Sequence, residues 1–363
     1  MGATSDVEAA EVVLPCAELA ATLAFFTDRL GFRLESIFPA DDPSVATISG
    51  HGLRIRLERG AAGSPGVLRL LSRDPAAFAG GATTLTAPNG TRIELVGSDP
   101  PVVLPPARPS FIVTRMADAA PWVHGRAGMR YRDLVPDRQG GRLVASHIQI
   151  PDAGPVPDYV HFHKIRFQMI YCHRGWVRVV YEDQGPPFVL RAGDCVLQPP
   201  RIRHRVLEAA AGTEVVEIGS PANHETCVDH ELELPTATER RDRVFDGQPF
   251  VRHEAASARW EVGRRAGFEA RDTGIGEATG GLAEVHVLRR RGPEVPRARR
   301  NEGETVFDFV LSGGATLRCE GREDERLTEG DACVVPAGLE YAWMESGEGV
   351  ELLEVVVAEH AAP

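Results

Sequence analysis

The chain repeats itself once, at long range. Tyr131-Arg132-Asp133, followed by Gly140-Gly141 and Ala145-Ser146-His147-Ile148, reads like Ala270-Arg271-Asp272, then Gly280-Gly281 and Glu284-Val285-His286-Val287. The correspondence continues as HRGWVRVVYED against LSGGATLRCEG, and as LRAGDCVLQPPRIRH against LTEGDACVVPAGLEY. A period of about 140 residues is far longer than the roughly 20–50 of a solenoid. It describes a duplicated domain, with copy one at about 119–240 and copy two at about 241–363. Within each copy, Gly and Pro separate short runs rich in Val, Ile, Leu and Phe, such as RFQMIY, WVRVVY, VFDFVL and VELLEVVV. Runs of that length at that spacing predict a mainly β fold, sandwich or barrel.

Residues 1–115 stand outside the repeat. Clear helical periodicity occurs there in AELAATLAFFTDRL, where Leu19, Leu23, Phe26 and Leu30 fall on one face. The proline-rich DPPVVLPPARP, Asp99 to Pro109, cannot run through a central strand and is expected to be a linker or edge segment. A second break is expected near Thr236 to Arg243.

Composition excludes several classes. Hydrophobic residues make up 43% of the chain, too many for disorder as the main state. No apolar run reaches the ~18–20 residues of a membrane span, and the N-terminus lacks the pattern of a signal peptide. A formal net charge of -12 disfavours duplex nucleic acid. The basic run Arg289 to Arg300 has no interleaved aromatics and is expected to be a solvated loop. The six cysteines form no C-x-x-C pair, so reduced thiols and a cytoplasmic location are expected. The expected partner is a small-molecule substrate, with no nucleic acid and no membrane. A homodimer is compatible with such a chain.

Copy one concentrates the chemistry. His161 and His163 are two apart, so on a strand both imidazoles face the same side. His204 follows the Pro199-Pro200 turn and must arrive from another strand. Three neutral imidazoles with an open position describe a transition-metal site. Lys164 and Arg166 follow the histidine pair, but alternation turns Lys164 away from it. Gln168, Ile170 and Cys172 are expected to share one inward face, while the parity of Arg178 cannot be read because VRVVY is apolar on both faces.

These residues resemble a known family. His161-x-His163-x4-Gln168-x6-Gly175 resembles the first cupin motif, H-x-H-x3–4-E-x6-G. Gly193-x5-Pro199-x-Arg201-x2-His204 resembles the second, G-x5-P-x-G-x2-H. The resemblance implies two tandem cupin (double-stranded β-helix) barrels and, by position, the metal ligands His161, His163, Gln168 and His204. Gln168 stands where Glu is usual and Arg201 where Gly is usual. In copy two the ligand positions are Arg299, Asn301, Val306 and Tyr341, so that barrel is expected to lack metal. Glu11-Val-Val-Leu-Pro-Cys16, FFTDRLGF and Ala87-Pro-Asn-Gly-Thr-Arg-Ile-Glu94-Leu resemble the glyoxalase/vicinal-oxygen-chelate family. That resemblance implies an α+β domain in residues 1–115. No histidines stand between Glu11 and Glu94 at matching positions, and the second half is expected to lack its helix. A structural or substrate-covering domain without metal is therefore expected.

Bicupins of this kind are frequently dioxygenases. The resemblance thus implies a metal-dependent oxidoreductase, with Fe(II) favoured and Zn, Ni, Mn or Cu as alternatives. An all-neutral ligand set in a pocket lined by Ile, Cys and Phe is expected to draw a small anionic chelating substrate: an aromatic, hydroxy or keto acid, or a thiol. The alternatives are a non-catalytic small-molecule sensor and a Zn or Ni isomerase or lyase.

Overall fold

The computed structural model describes residues 6–118, 122–263, 265–291, 297–303, 305–344 and 349–358. The chain is mainly β and divides into two compact units, residues 1–101 and 102–363.

The first unit is α+β. Its first sheet has the strand order Val12–Pro15, Leu53–Glu58, Val45–Gly50, Arg33–Phe38, with the first pair parallel. The expected helix forms as an α-helical turn, Leu19–Ala24, continued by a wider π-helical segment, Phe25–Arg29. Leu19, Phe26 and Leu30 are buried and Leu23 packs against them, so the predicted face is the buried one. A smaller sheet follows, ordered Val67–Ser72, Arg92–Gly97, Thr84–Thr86. A one-turn helix, Pro75–Phe78, lies inside the half where none was expected. The Asp74 carboxylate caps it by accepting from the Ala77 N–H at 2.9 Å, and proline occupies the first turn where no amide hydrogen is needed.

The second unit holds both copies. In the first barrel one sheet runs Val251–His253, Cys195–Leu197, Phe167–Arg174, Thr213–Ser220, Val144–Ile150, Arg130–Asp133, Val123–His124. Facing it are Phe188–Arg191, Trp176–Tyr181, His204–Ala209, His161–Lys164 and Glu225–Val228. The second barrel repeats this plan with Phe268–Asp272, Ala283–Arg290, Glu351–Val357, Thr305–Ser312 and Ala332–Pro336, opposite Glu340–Met344, Gly314–Cys319 and Glu325–Thr328. A continuous apolar core joins the two, with Phe167, Met169 and Tyr171 of one copy among Phe307, Phe309 and Val355 of the other.

Two strands cross between the copies. Ile112–Thr114, expected to belong with the N-terminal module, pairs with Ala332–Pro336 of the second barrel. Val251–His253, from the start of copy two, pairs with Cys195–Leu197 of the first barrel. One arm lies ahead of copy one and the other at the start of copy two, and each extends the other copy's sheet. A boundary drawn along the sequence cannot show this, because sheet pairing is set by edges in space. Of the basic run Arg289 to Arg300, residues 292–296 lie outside the described residues.

Candidate functional site

Sheet register brings the histidines together. His161 and His163 alternate with Phe162 and Lys164 on their strand, the histidines buried and the other two half-buried. His161 pairs directly across from His204 on the neighbouring antiparallel strand, placing the two side chains side by side. Their rings lie 4.2 Å apart between centroids, and His163 stands 5.4 Å from His204. Among the described residues, these three alone form a cluster of potential metal-ligating His, Cys, Asp or Glu groups. Their ligand atoms lie within 4.8 Å of one another.

Each ring is held from behind. His161 Nδ1–H donates to the Tyr159 carbonyl at 2.8 Å, and His204 Nδ1–H to the Ile202 carbonyl at 3.0 Å. His163 Nδ1 pairs with the Thr226 hydroxyl at 2.9 Å. In His161 and His204 the Nε2 lone pair is thereby turned to the interior, where that of His204 accepts from Gln198 Nε2–H at 2.8 Å. His161 Nε2 is buried with no hydrogen-bond partner among the described residues. A buried polar atom of that kind is costly unless something else binds it. Burial also keeps the rings neutral. It pushes His163 down to about 2, with His161, His224 and Arg126 adding to the effect. It lowers His161, helped by Arg126, and lowers His204 well below the usual imidazole value, helped by His161 and His163. Neutral imidazole is the form that binds a metal, so the donor set fits one.

The turn before His204 explains a departure from the motif. Arg201 adopts φ +65°, the left-handed region that glycine enters at little cost and that explains the motif's preference for it. Arg201 tolerates it while its guanidinium reaches Asp246 at 3.2 Å. Gly193, at φ +94°, has a second reason to be glycine, because a Cβ there would stand 2.9 Å from Cβ of Ala255, just beyond the crossing arm.

The histidines open on a cavity of about 260 Å³. Aliphatic side chains, including Ile148, Ile150, Ile170, Val177, Val206 and Leu190, form much of its wall. Ile lines it as expected, but Cys and Phe do not. Cys172 lies in the barrel's apolar interior with its Sγ 3.8 Å from the Arg174 and Gly175 carbonyls. Burial pushes that thiol up to about 12. Gln168 is buried at the cavity wall, and its Nε2 donates to Glu217 Oε1 at 2.5 Å. The wall therefore also carries a carboxylate, Glu217, which the sequence reading did not name. Lys164 turns aside as expected and pairs with Glu225 at 2.8 Å. Arg178 points outward and is 3.5 Å from Glu208.

Several residues escaped sequence reading: Glu217, Gln198, His224, Thr226, and the ion pair of Arg126 with the fully buried Asp158. The repeat held a signal for two of them. Arg126-Ala127-Gly128 matches Arg265-Ala266-Gly267, and EVVEIG matches ELLEVV, so Glu217 corresponds to Glu354. In the second barrel this pair closes on itself. Arg265 NH2 bonds Glu354, lies 3.2 Å from Asp308 and donates to the Tyr341 hydroxyl at 2.9 Å. A guanidinium thus sits beside Tyr341, the counterpart of His204. Asn301 is spent on the backbone, donating to the Val335 carbonyl at 2.8 Å. In the first barrel Asp158 takes Arg126 instead, and Glu217 keeps facing the cavity.

The candidate acids of the first unit are paired. Glu11 meets Arg54 at 2.6 Å and Glu94 meets Arg92 at 2.5 Å, while His51 Nε2 bonds the Leu30 carbonyl at 2.7 Å.

No protein-family profile and no curated protein matches the sequence. Solved structures do. Oxalate decarboxylase from Lactobacillus farciminis, a formate complex, is 14% identical, with a TM-score of 0.52 over 68% of this chain and 86% of that one. Oxalate decarboxylase from Bacillus subtilis at pH 4.6 is 13% identical, with a TM-score of 0.50 over 72% and 78%. A further Bacillus subtilis structure, described by its Mn(II) centres, matches at 13% identity and a TM-score of 0.50 over 72% and 79%. At these identities the likeness speaks for fold alone, and it agrees with the duplicated sheets described above: the chain has a two-barrel cupin fold.

Proposed function

We propose that the first barrel is the metal centre of a cupin enzyme, with His161, His163 and His204 as ligands and Gln168 Oε1 beside them. The observation that carries this is the convergence of three buried, neutral imidazoles whose Nδ1 atoms are already engaged. The substrate class follows from the walls. A small acid with two chelating oxygens at one end and an aliphatic or aromatic body at the other matches a polar floor under apolar sides. A divalent ion held there supplies Lewis-acid chemistry and, as iron(II), redox chemistry with dioxygen. The protein's own part is to exclude water with its aliphatic wall and to hold Glu217 against the cavity through Gln168. The preferred reading is oxidation of the chelated acid by dioxygen.

A second reading takes the site as a manganese-dependent carbon–carbon lyase. The similar structures favour it, since those proteins are oxalate decarboxylases and one is described by its Mn(II) centres. Oxalate itself has no apolar surface for this wall, so any such substrate would be a larger acid. For the first unit we retain a vicinal-oxygen-chelate-like fold as a proposal, supported by its parallel first pair and strand order. Six free cysteines fit a reducing compartment such as the cytoplasm.

Metal analysis decides the centre. Wild-type protein is expected to hold about one equivalent, lost in His161→Ala and His204→Ala. Retention of metal in both variants refutes the centre. Oxygen uptake against carbon dioxide release, over a panel of aromatic and keto acids, separates the two reactions.

A further inference from the structure

We propose that Gln198 is an additional donor of this centre, one that caps His204 when no ion is bound and turns its carbonyl oxygen to the ion when one is. The inference rests on the metal reading above. Gln198 is 3% exposed and lines the cavity. It follows the strand Cys195–Leu197 and directly precedes Pro199, and its backbone N–H donates to the Gln168 carbonyl at 2.9 Å. Its side chain Nε2–H donates to His204 Nε2 at 2.8 Å. Because His204 Nδ1–H is spent on Ile202, the atom that Gln198 covers is the lone pair an ion would take.

One imidazole lone pair accepts one partner. When an ion takes it, the amide hydrogen must leave, and a buried amide left without a partner is unfavourable. A half-turn of the terminal amide resolves this, exchanging Nε2 for Oε1 at the same place. The spacing fits coordination. Two donors each ~2.1 Å from one ion, at right angles, stand ~3 Å apart. The terminal amide atom already lies 2.8 Å from His204 Nε2.

The second barrel is an independent control. Gly193-Asp194-Cys195-Val196-Leu197-Gln198-Pro199 aligns with Gly330-Asp331-Ala332-Cys333-Val334-Val335-Pro336. Where the imidazoles are gone the amide is gone too, and a buried valine completes the strand. The barrel therefore does not need glutamine at this position to fold, which makes Gln198→Val a fold-compatible test. Gln168 does not duplicate the cap on His204, because its Nε2–H donates to Glu217.

The experiment titrates metal-free full-length protein with Co(II) against a competing chelator and records the visible d–d bands. Gln198→Val is expected to weaken Co(II) binding about tenfold and to intensify the bands as the coordination number falls. Gln198→Glu, which offers a carboxylate at the same reach, is expected to bind Co(II) more tightly with shifted bands. Equal or tighter binding by Gln198→Val with an unchanged spectrum overturns the proposal and leaves Gln198 as a cap only. So does an unchanged spectrum in Gln198→Glu, which decides the matter if the valine variant fails to fold. Failure of the underlying centre looks different: wild-type protein would take up no Co(II), or His161→Ala and His204→Ala would bind it as well as wild type.

Discussion

At the scale of single residues, the departure of Gln168 from its motif has a physical reason in Glu217. Its amide donates to that carboxylate at 2.5 Å. A glutamate at 168 would set two carboxylates against each other, and one would have to take up a proton or move. Gln168→Glu is therefore expected to destabilise the metal-free protein by about 2 kcal/mol. The exchange Gln168→Glu with Glu217→Gln is expected to recover most of that loss, since it restores an amide facing a carboxylate. Thermal melts of the two single variants and the double variant measure the coupling. Additive losses show that the two side chains do not interact.

At the scale of elements, the segment Arg126–Gly128 is held to the barrel by one buried acid. Asp158 takes the Arg126 guanidinium with Oδ1 and accepts the Val206 backbone N–H with Oδ2 at 3.0 Å, so it ties that segment to the strand carrying His204. In the second barrel the matching guanidinium goes inward to Glu354. Asp158→Asn is expected to release Arg126 toward Glu217, to cost about 2–3 kcal/mol of stability, and to weaken metal binding. Glu217→Gln in the same background removes the new attraction and is expected to return part of the metal affinity. Denaturant melts and metal titration read the two effects, and wild-type metal affinity in Asp158→Asn refutes the tether.

At the scale of the whole molecule, the contact between barrels carries buried histidines. His147 and His173 pack on Phe309 of the other barrel, at 5.4 and 5.2 Å between ring centroids. Burial, with His147 and Arg174 adding, pushes His173 down to about 4. The folded group thus titrates below its unfolded value of ~6.5, and the unfolded chain takes up the proton first. Its contribution to stability is complete above that value and is lost as pH falls from about 6.5 toward 4, at up to ~1.4 kcal/mol per pH unit. His173→Gln is expected to flatten this acid limb in denaturant melts between pH 4 and 7. An acid limb as steep as that of wild type rules His173 out as its source.

Much of this protein can be read from its sequence. A repeat of strand-length runs between glycines and prolines gives two mainly β copies, and the cupin resemblance implies that they are barrels. Alternation on one strand puts His161 and His163 on the same face, while His204 as their third partner is what the second motif implies. Gln168 could be named but not understood, since its partner lies 49 positions away on the strand Thr213–Ser220. The same holds for Asp158 beneath Arg126, for Gln198 against His204, and for the arms Ile112–Thr114 and Val251–His253 that each extend the other copy's sheet. Periodicity reports which face of an element is buried. Which side chain meets which across strands depends on sheet register and on the joining of two barrels through one core, and only the tertiary structure decides these.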